Sequence, residues 1–372
     1  MSVEHFLDFY LHVNIIVLFA AFMLLLGTGV LHLLGYGNSY RSHLKLSTII
    51  LCTLTTVPLL HLMHGSYIST DAPSLSDVLV AQFLDGNINM SAVRFENLLS
   101  VWDRLMAEIL QPTYTLTWVI LGALVGIFAH KTYGIINSAR HVVRIVRTAV
   151  TLRRIGRIHI LTSDRITVPF TTRGLRHFYV VVPVSMLGSE QDLKIALGHE
   201  LQHIRQGDIT WEIGLELMLP FFFVNPGFWL LRQRIKVVRE FACDREFLRR
   251  TGFDTWAYGA CLINVARDNQ HHKAQKFDAL SVSFLGSKSG FARAQRAKLG
   301  RRIRAISATS TPQMSRLGLT TLVIPLVSAI ILSTQVLYKT DGWSHDRIML
   351  TTVINLERLK SRNTSYVAGL DY

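Results

Sequence analysis

Residues 198–208 read GHELQHIRQGD, and this stretch decides what the rest of the chain must build. His199 and His203 stand four apart around Glu200, an HExxH pattern. On a helix, residues four apart share a face, so both imidazoles can reach one metal ion while Glu200 lies beside them. Zinc brings the pKa of a bound water towards neutrality, and a neighbouring glutamate can take its proton as the water attacks a peptide carbonyl. The flanks predict a helix. Ser189 is a candidate N-cap, good helix formers follow over 190–196, and Gly207 is a natural stop. By itself the pattern fixes only three positions, and a helix with two solvent-facing histidines reproduces it.

A zinc site of this kind needs a third ligand, and VREFACDREFL (238–248) offers one. Glu240 on a second helix completes a two-histidine, one-glutamate set and leaves the fourth position for water. Asp244, four residues on and on the same face, can accept the spare ring N–H of a ligand histidine and fix its tautomer. Taken singly, Glu240 among Arg239, Arg245, Arg249 and Arg250 reads equally well as a salt-bridge partner. Its ExxxD spacing downstream of an HExxH favours the ligand. Between the two helices runs LELMLPFFFVNPGFWLLRQR (215–234), uncharged from Leu217 to Leu231. A single crossing of a bilayer there would separate His203 from Glu240, so the metal reading forbids it. Pro220, Asn225, Pro226 and Gly227 interrupt the run, which predicts a broken helical hairpin that dips into the bilayer or packs on the spans. Upstream, His177 to Pro183 is a β-branched and aromatic run ended by proline. It can form an edge strand beside the HExxH helix, where an extended substrate pairs by strand addition, or an ordinary core strand. Arg157 to Val168 adds another strand or two, giving a small sheet. Tyr258, His271 and Arg245 are candidates for the donor to a tetrahedral oxyanion.

The wider chain is built for a membrane. Of 372 residues, 49% are hydrophobic and 17% charged, too apolar for an ordinary soluble domain. Four segments approach the roughly 20 apolar residues that cross a bilayer: Leu11–Tyr36, Leu46–Met63, Tyr114–His130 and Leu317–Tyr338. No Lys or Arg precedes Arg41, whereas a secretory signal wants a basic start, so the first segment reads as a retained anchor. The loop after it carries Arg41 and Lys45, and the loop from Gly65 to Pro112 has two arginines against six acidic residues. From Lys131 to Arg316 there are 30 basic and 13 acidic residues. The positive-inside rule then places the N-terminus, the acidic loop and the tail from Lys339 to Tyr372 outside, and the basic region in the cytoplasm. The formal charge of +14 follows from that placement. Arg140, Arg144 and Arg147 recur at helical spacing and suit a helix against anionic headgroups. No nucleic-acid motif is visible, so membrane lipid rather than nucleic acid is the expected partner. Cys52, Cys243 and Cys261 form no CxxC pair and no disulfide framework. The expected organisation is a membrane region over 1–130, a metalloprotease domain over 131–316, a fourth span over 317–338 and an outer tail over 339–372.

The order of three spans, a strand ending in proline, HELQHIRQGD, NPGFW, REFACD, a basic stretch and a fourth span resembles the BlaR/MecR family of integral-membrane zinc metalloproteases. The resemblance covers Lys131 to Tyr338 by motif and the front half by topology. It implies an α-helical membrane protein with four transmembrane helices and a cytoplasmic α+β gluzincin-type domain, in the cytoplasmic membrane of a bacterium. One Zn2+ would be held by His199, His203 and Glu240, with Glu200 as general base and Asp208 and Asp244 in support. The basic segment RAQRAKLGRRIRAI (293–306) resembles the helix before the family's last span. Gln202 and Gly207 depart from the family's usual residues there. The familiar members also end in an external penicillin-binding sensor domain. The 34 residues of the tail are too few for one, so β-lactam sensing is not implied, and the loop 65–112 becomes the candidate receiver of a signal.

In that family the protease cleaves a transcriptional repressor or itself. A protein substrate of that kind is therefore the expectation. Arg153-Arg154, Arg249-Arg250 and Arg301-Arg302 are candidate self-cleavage pairs, although basic helix faces account for all three, and the polar stretch ISATSTPQMS (306–315) is a candidate hinge. Two other readings differ in class. A quality-control protease of the HtpX type shares the HExxH and the downstream glutamate, but three spans before the catalytic region and one after it speak against it. A receptor that keeps the fold only to hold a partner has no need of Glu200.

Overall fold

A computed structural model of the chain describes residues 3–64, 75–99, 101, 115–273, 288–308, 313–337, 348–357 and 359. Its order is α1 (Val3–Leu33), α2 (Tyr40–His64), α3 (Leu75–Leu84), α4 (92–99), α5 (Thr115–Thr148), strands β1–β4, then α6 (Glu190–Gln206), α7 (Asp208–Met218), α8 (Pro226–Thr251), α9 (Thr255–Lys273), α10 (Lys288–Ser307), α11 (Arg316–Leu337) and α12 (Ile348–Glu357). All four apolar segments are helical. Two of them, Phe9–Leu33 and Arg316–Thr334, are long and apolar enough to cross a membrane. The chain forms two compact units, one of Met1–Met23, Ile50–Val125 and Ile324–Tyr372, the other of Leu24–Ile49 and Gly126–Val323.

In the first unit, the loop after α2 and the tail after α11 share a core. Val80 of α3, Ala92 and Phe95 of α4, and Leu350 and Ile354 of α12 are buried together. The Phe83 and Phe95 rings stack at 4.4 Å, and the Val93 N–H donates to Glu357 Oε2 at 3.3 Å. The described parts of the two segments expected to lie outside the cell thus form one small helical cluster.

α5 carries the third apolar segment and the arginine-bearing helix as one continuous element, with Thr115–Val125 belonging to the first unit and the rest to the second. Its 34 residues extend about 51 Å at 1.5 Å per residue, well past a hydrocarbon core of roughly 30 Å. Its end packs Ile145 against Leu161 and Val181 of the sheet. The sheet comprises β1 (Val150–Ile155), β2 (Ile158–Ser163), β3 (Phe170–Arg173) and β4 (Phe178–Pro183), in the order β1-β2-β4-β3. β2 and β4 are parallel, and each pairs antiparallel with its outer neighbour.

Two expectations need correction here. His177 to Pro183 does not form an edge strand. Val180, Val181 and Val182 are fully buried, and an unbroken apolar run belongs at the centre of a sheet rather than on a half-exposed edge. The edge that runs beside α6 is β3. Arg153-Arg154 likewise lies in exposed strand β1, not on a helix. Of the stretch 157–168, one strand forms, and turns lead on to β3.

The helix signals around the HExxH hold. The Ser189 side chain accepts from the Asp192 N–H, and Gly207 closes α6 in the left-handed region at φ 74°. The run 215–234 is broken as expected. α7 stops at Met218, and Asn225 caps α8 by accepting from the Phe228 N–H at 3.2 Å. Phe221 in the break meets Phe128 of α5 edge-on. Gly198 permits the closest approach of α6 to α8, because a Cβ there would sit 2.4 Å from the Phe247 ring.

Two predictions follow from this packing. Gly198→Ala forces the buried Phe247 ring aside and costs about 1–3 kcal/mol, read as a lower midpoint of thermal unfolding in detergent. At the end of α8, the Arg249 hydrogen bond, then Arg250 and Arg41, outweigh burial and hold Glu246 at about 2 against an ordinary 4.5. A depressed carboxylate stabilises fully above its unfolded value and loses that contribution as pH falls through its folded one. Glu246→Gln is therefore less stable than wild type at pH 6, and the gap closes as pH falls from about 4.5 towards 2. A pH-independent gap would show that the charge of Glu246 is not what stabilises.

Candidate metal centre

α6 presents His199, Glu200 and His203 to α8, with β3 on one side and α9 and α10 on the other. The Nε2 atoms of His199 and His203 face each other at 3.2 Å, with the rings nearly perpendicular at 85°. Both Nε2 atoms are therefore near enough to bond a single ion. Each ring is held from behind through Nδ1. His203 Nδ1 donates to Asp208 Oδ2 at 2.8 Å. Asp208 reaches it because Gly207 turns the chain sharply from α6 into α7. His199 Nδ1 lies 2.9 Å from the Tyr258 hydroxyl and 3.4 Å from Asp244 Oδ1. A ring that donates through Nδ1 leaves Nε2 free as a metal ligand.

The buried Glu200 lies on the sheet side. The Thr171 hydroxyl of β3 donates to Glu200 Oε2 at 2.6 Å. Burial, against the pull of His203 and Thr171, raises its carboxyl above the usual range. Burial and the positive neighbours His203 and Arg302 push His199 down to about 3, so it is neutral at pH 7, as a metal ligand must be.

α8 supplies the remaining groups. Glu240 Oε2 is 3.1 Å from Arg302 Nη1. Burial works against the charge of Glu240, yet Arg302, His203, Lys298 and His199 hold its carboxyl well below the usual range. Asp244 accepts from the Tyr258 hydroxyl at 2.6 Å and from Arg302 Nε and Nη2 at 2.9 and 2.6 Å. One turn from Glu240, Cys243 Sγ lies 3.7 Å from His199 Nδ1 and donates to its carbonyl. His199, His203 and Cys243 bring one ligand atom each within 4.8 Å of one another, a cluster able to hold a metal ion. Burial pushes the free Cys243 thiol up to about 11, whereas Glu240 on the same helix is already ionised. Against burial, Cys243 and the Asp208 hydrogen bond raise the His203 imidazole well above its usual range. A metal would have to displace that proton before two imidazoles and the Glu240 carboxylate could serve as the donor set that suits zinc.

His199, Glu200, His203, Asp208 and Asp244 thus come together, with Glu240 beside Arg302, while the three-residue ligand cluster among the described residues takes Cys243 rather than Glu240. Two others, Arg302 and Thr171, were not read as part of the centre, and Tyr258, expected as an oxyanion donor, takes a different place. Tyr258 stands behind the His199 ring, so it orients the histidine and does not reach an oxyanion. Arg302 is not on a solvent-facing helix surface, although Arg249 and Arg250 do lie on one, paired with Glu246. Thr171 gave no signal at all. Arg245 points elsewhere, to the carbonyls of Asn38, Ala305 and Ala308 and over the Tyr40 ring. The side chain of His271 lies outside the described residues.

A family model described as BlaR1 peptidase M56 matches residues 14–283. The chain belongs to this peptidase family, a class of membrane-associated metallopeptidases. No curated protein matches the chain.

The Tyr258 hydroxyl bridges His199 and Asp244, and that role is open to test. Tyr258→Phe keeps the ring of this fully buried residue and removes only the hydroxyl. It lowers stability by about 1–2 kcal/mol, measured by thermal unfolding. An unchanged midpoint would show that the hydroxyl contributes nothing there.

Proposed function

We propose that the chain is a zinc endopeptidase of the cytoplasmic membrane that cleaves a cytoplasmic regulatory protein, repressor-like, or itself, when a signal arrives from outside. One observation carries the peptidase half of this reading: two facing Nε2 atoms, each ring fixed through Nδ1, beside a buried glutamate on the same helix.

His199, His203 and Glu240 are the groups that would hold the metal. Bound zinc supplies Lewis acidity, which eases ionisation of water and polarises a peptide carbonyl. The other steps belong to the chain. Glu200 takes the proton from the attacking water at its carboxylate and returns it to the leaving amine. Its raised pKa brings it nearer the working pH, where proton transfer in both directions is efficient. Thr171 keeps Oε2 in place. Asp208 and the Tyr258–Asp244 pair hold the two histidines in the tautomer that a ligand needs. Edge strand β3, next to Glu200, is where an extended substrate pairs by strand addition.

Four spans with the centre on the cytoplasmic side agree best with the packing and the charge. The shared core of α3, α4 and α12 supports a reading in which the segments after the second and fourth apolar helices lie on the same side. The chain between them then crosses an even number of times, which α5 and α11 provide, and 215–234 does not cross. Arg41 and Lys45 place the first loop in the cytoplasm. The N-terminus and the helical cluster then face outward, where the cluster can receive a signal. The gluzincin fold is the reading that fits α6, α8 and edge strand β3 together.

The test compares wild type with Glu200→Gln in the native host, with zinc measured in both and cytoplasmic proteins surveyed by termini-enriched mass spectrometry. The expected result is equal zinc and a new terminus in one regulatory protein, or in this chain, with wild type alone. Cuts scattered over misfolded membrane proteins would replace signalling with quality control. Identical termini in both strains, with and without inducing stress, would remove Glu200 from the role of base.

A further inference from the structure

We propose that Arg302 is a positioning residue of the metal centre, which makes α10, the helix leading into the last apolar helix, a structural part of that centre. The inference rests on the assignment of His199, His203 and Glu240 as ligands.

Of the described residues of α10, Arg302 bonds the ExxxD carboxylates directly, and Lys298 acts on Glu240 through its charge. The Arg302 contacts form a fan. Nε and Nη2 hold both oxygens of Asp244, at 2.9 and 2.6 Å, in the forked geometry that only a guanidinium makes. Nη1 lies 3.1 Å from Glu240 Oε2, and Nη2 lies 3.5 Å from His199 Nε2. One side chain therefore touches a ligand carboxylate, a ligand imidazole and the carboxylate behind that imidazole. Asp244 is 1% exposed, and a buried carboxylate needs its charge answered within the protein. With Arg302 in place, Asp244 faces His199 Nδ1 in one orientation, and Glu240 is fixed on the next turn of α8.

The neighbouring Arg301 shows how specific the placement is. It is exposed and bonds only the Ala297 carbonyl of its own helix. α10 is further secured at its far end, where Arg245 of α8 donates to the carbonyls of Ala305 and Ala308. The centre is thus assembled from α6, α8, α9 and α10. Its last component comes from the segment that runs directly into α11.

A purely structural ion pair would change stability and leave the metal alone. The test therefore reads the metal itself. Full-length protein in detergent is titrated with Zn2+ against a chromogenic chelator, and the Co2+-substituted form is examined by its visible absorption. Wild type, Arg302→Met, Arg302→Lys and the control Arg301→Met are compared, each first shown to be folded by circular dichroism. The expected result is a 10- to 100-fold loss of zinc affinity and an altered cobalt spectrum in Arg302→Met, of the size typical when a group supporting a ligand is lost. Arg302→Lys keeps the charge but not the fork, so it shows a smaller loss, and it decides the matter if Arg302→Met does not fold. Arg301→Met matches wild type. Wild-type affinity and spectrum in a folded Arg302 variant would overturn the inference while leaving the zinc site intact. Failure of wild type to bind either ion would instead overturn the ligand assignment, and this inference with it.

Discussion

Asp244 carries a charge in the interior, and much of the second unit is arranged to answer it. A carboxylate with 1% of its surface exposed is tolerated only when its oxygens are hydrogen-bonded and its charge is paired. The partners come from three helices: Tyr258 on α9, Arg302 on α10 and His199 on α6. Satisfying one buried anion therefore fixes three helices against α8. Gly198 lets α6 approach closely enough for this to happen. The apolar core of Ile195, Phe247, Tyr258 and Cys261 fills the space beside it. Stability and site geometry are hard to separate here, since the same contacts serve both.

Much of the centre was legible in the sequence because its logic is local. The HExxH works through the four-residue repeat of a helix, and so does ExxxD. Ser189 and Gly207 mark the ends of α6 by cap chemistry that needs no tertiary context. What stayed hidden is what depends on distance. Arg302 sits 58 residues from Asp244, in a stretch rich in arginine, where nothing local separates a buried cation from its exposed neighbours. Tyr258 was singled out as an oxyanion donor, but its contact with His199 and Asp244 could not be read. Thr171 became a partner of Glu200 only once β3 was placed at the edge of the sheet. The error over His177 to Pro183 has the same origin, since alternation and apolarity describe a strand but not its neighbours.

The membrane region was legible in outline. All four apolar segments form helices, and the break in 215–234 falls where proline, asparagine and glycine cluster. The association of the loop after α2 with the tail after α11 could not have been read from either segment. Their apolar faces are short, and each makes sense only against the other. This joint core ties together described parts of the segments that follow α2 and α11.

The central claim is that a metal ion sits between His199, His203 and Glu240. X-ray absorption at the zinc edge on the full-length protein tests it most directly. The account predicts a first shell of nitrogen and oxygen alone, at about 2.0–2.2 Å, with the multiple scattering of two imidazoles. A sulfur scatterer at about 2.3 Å would put Cys243 in the place given to Glu240 and contradict the account.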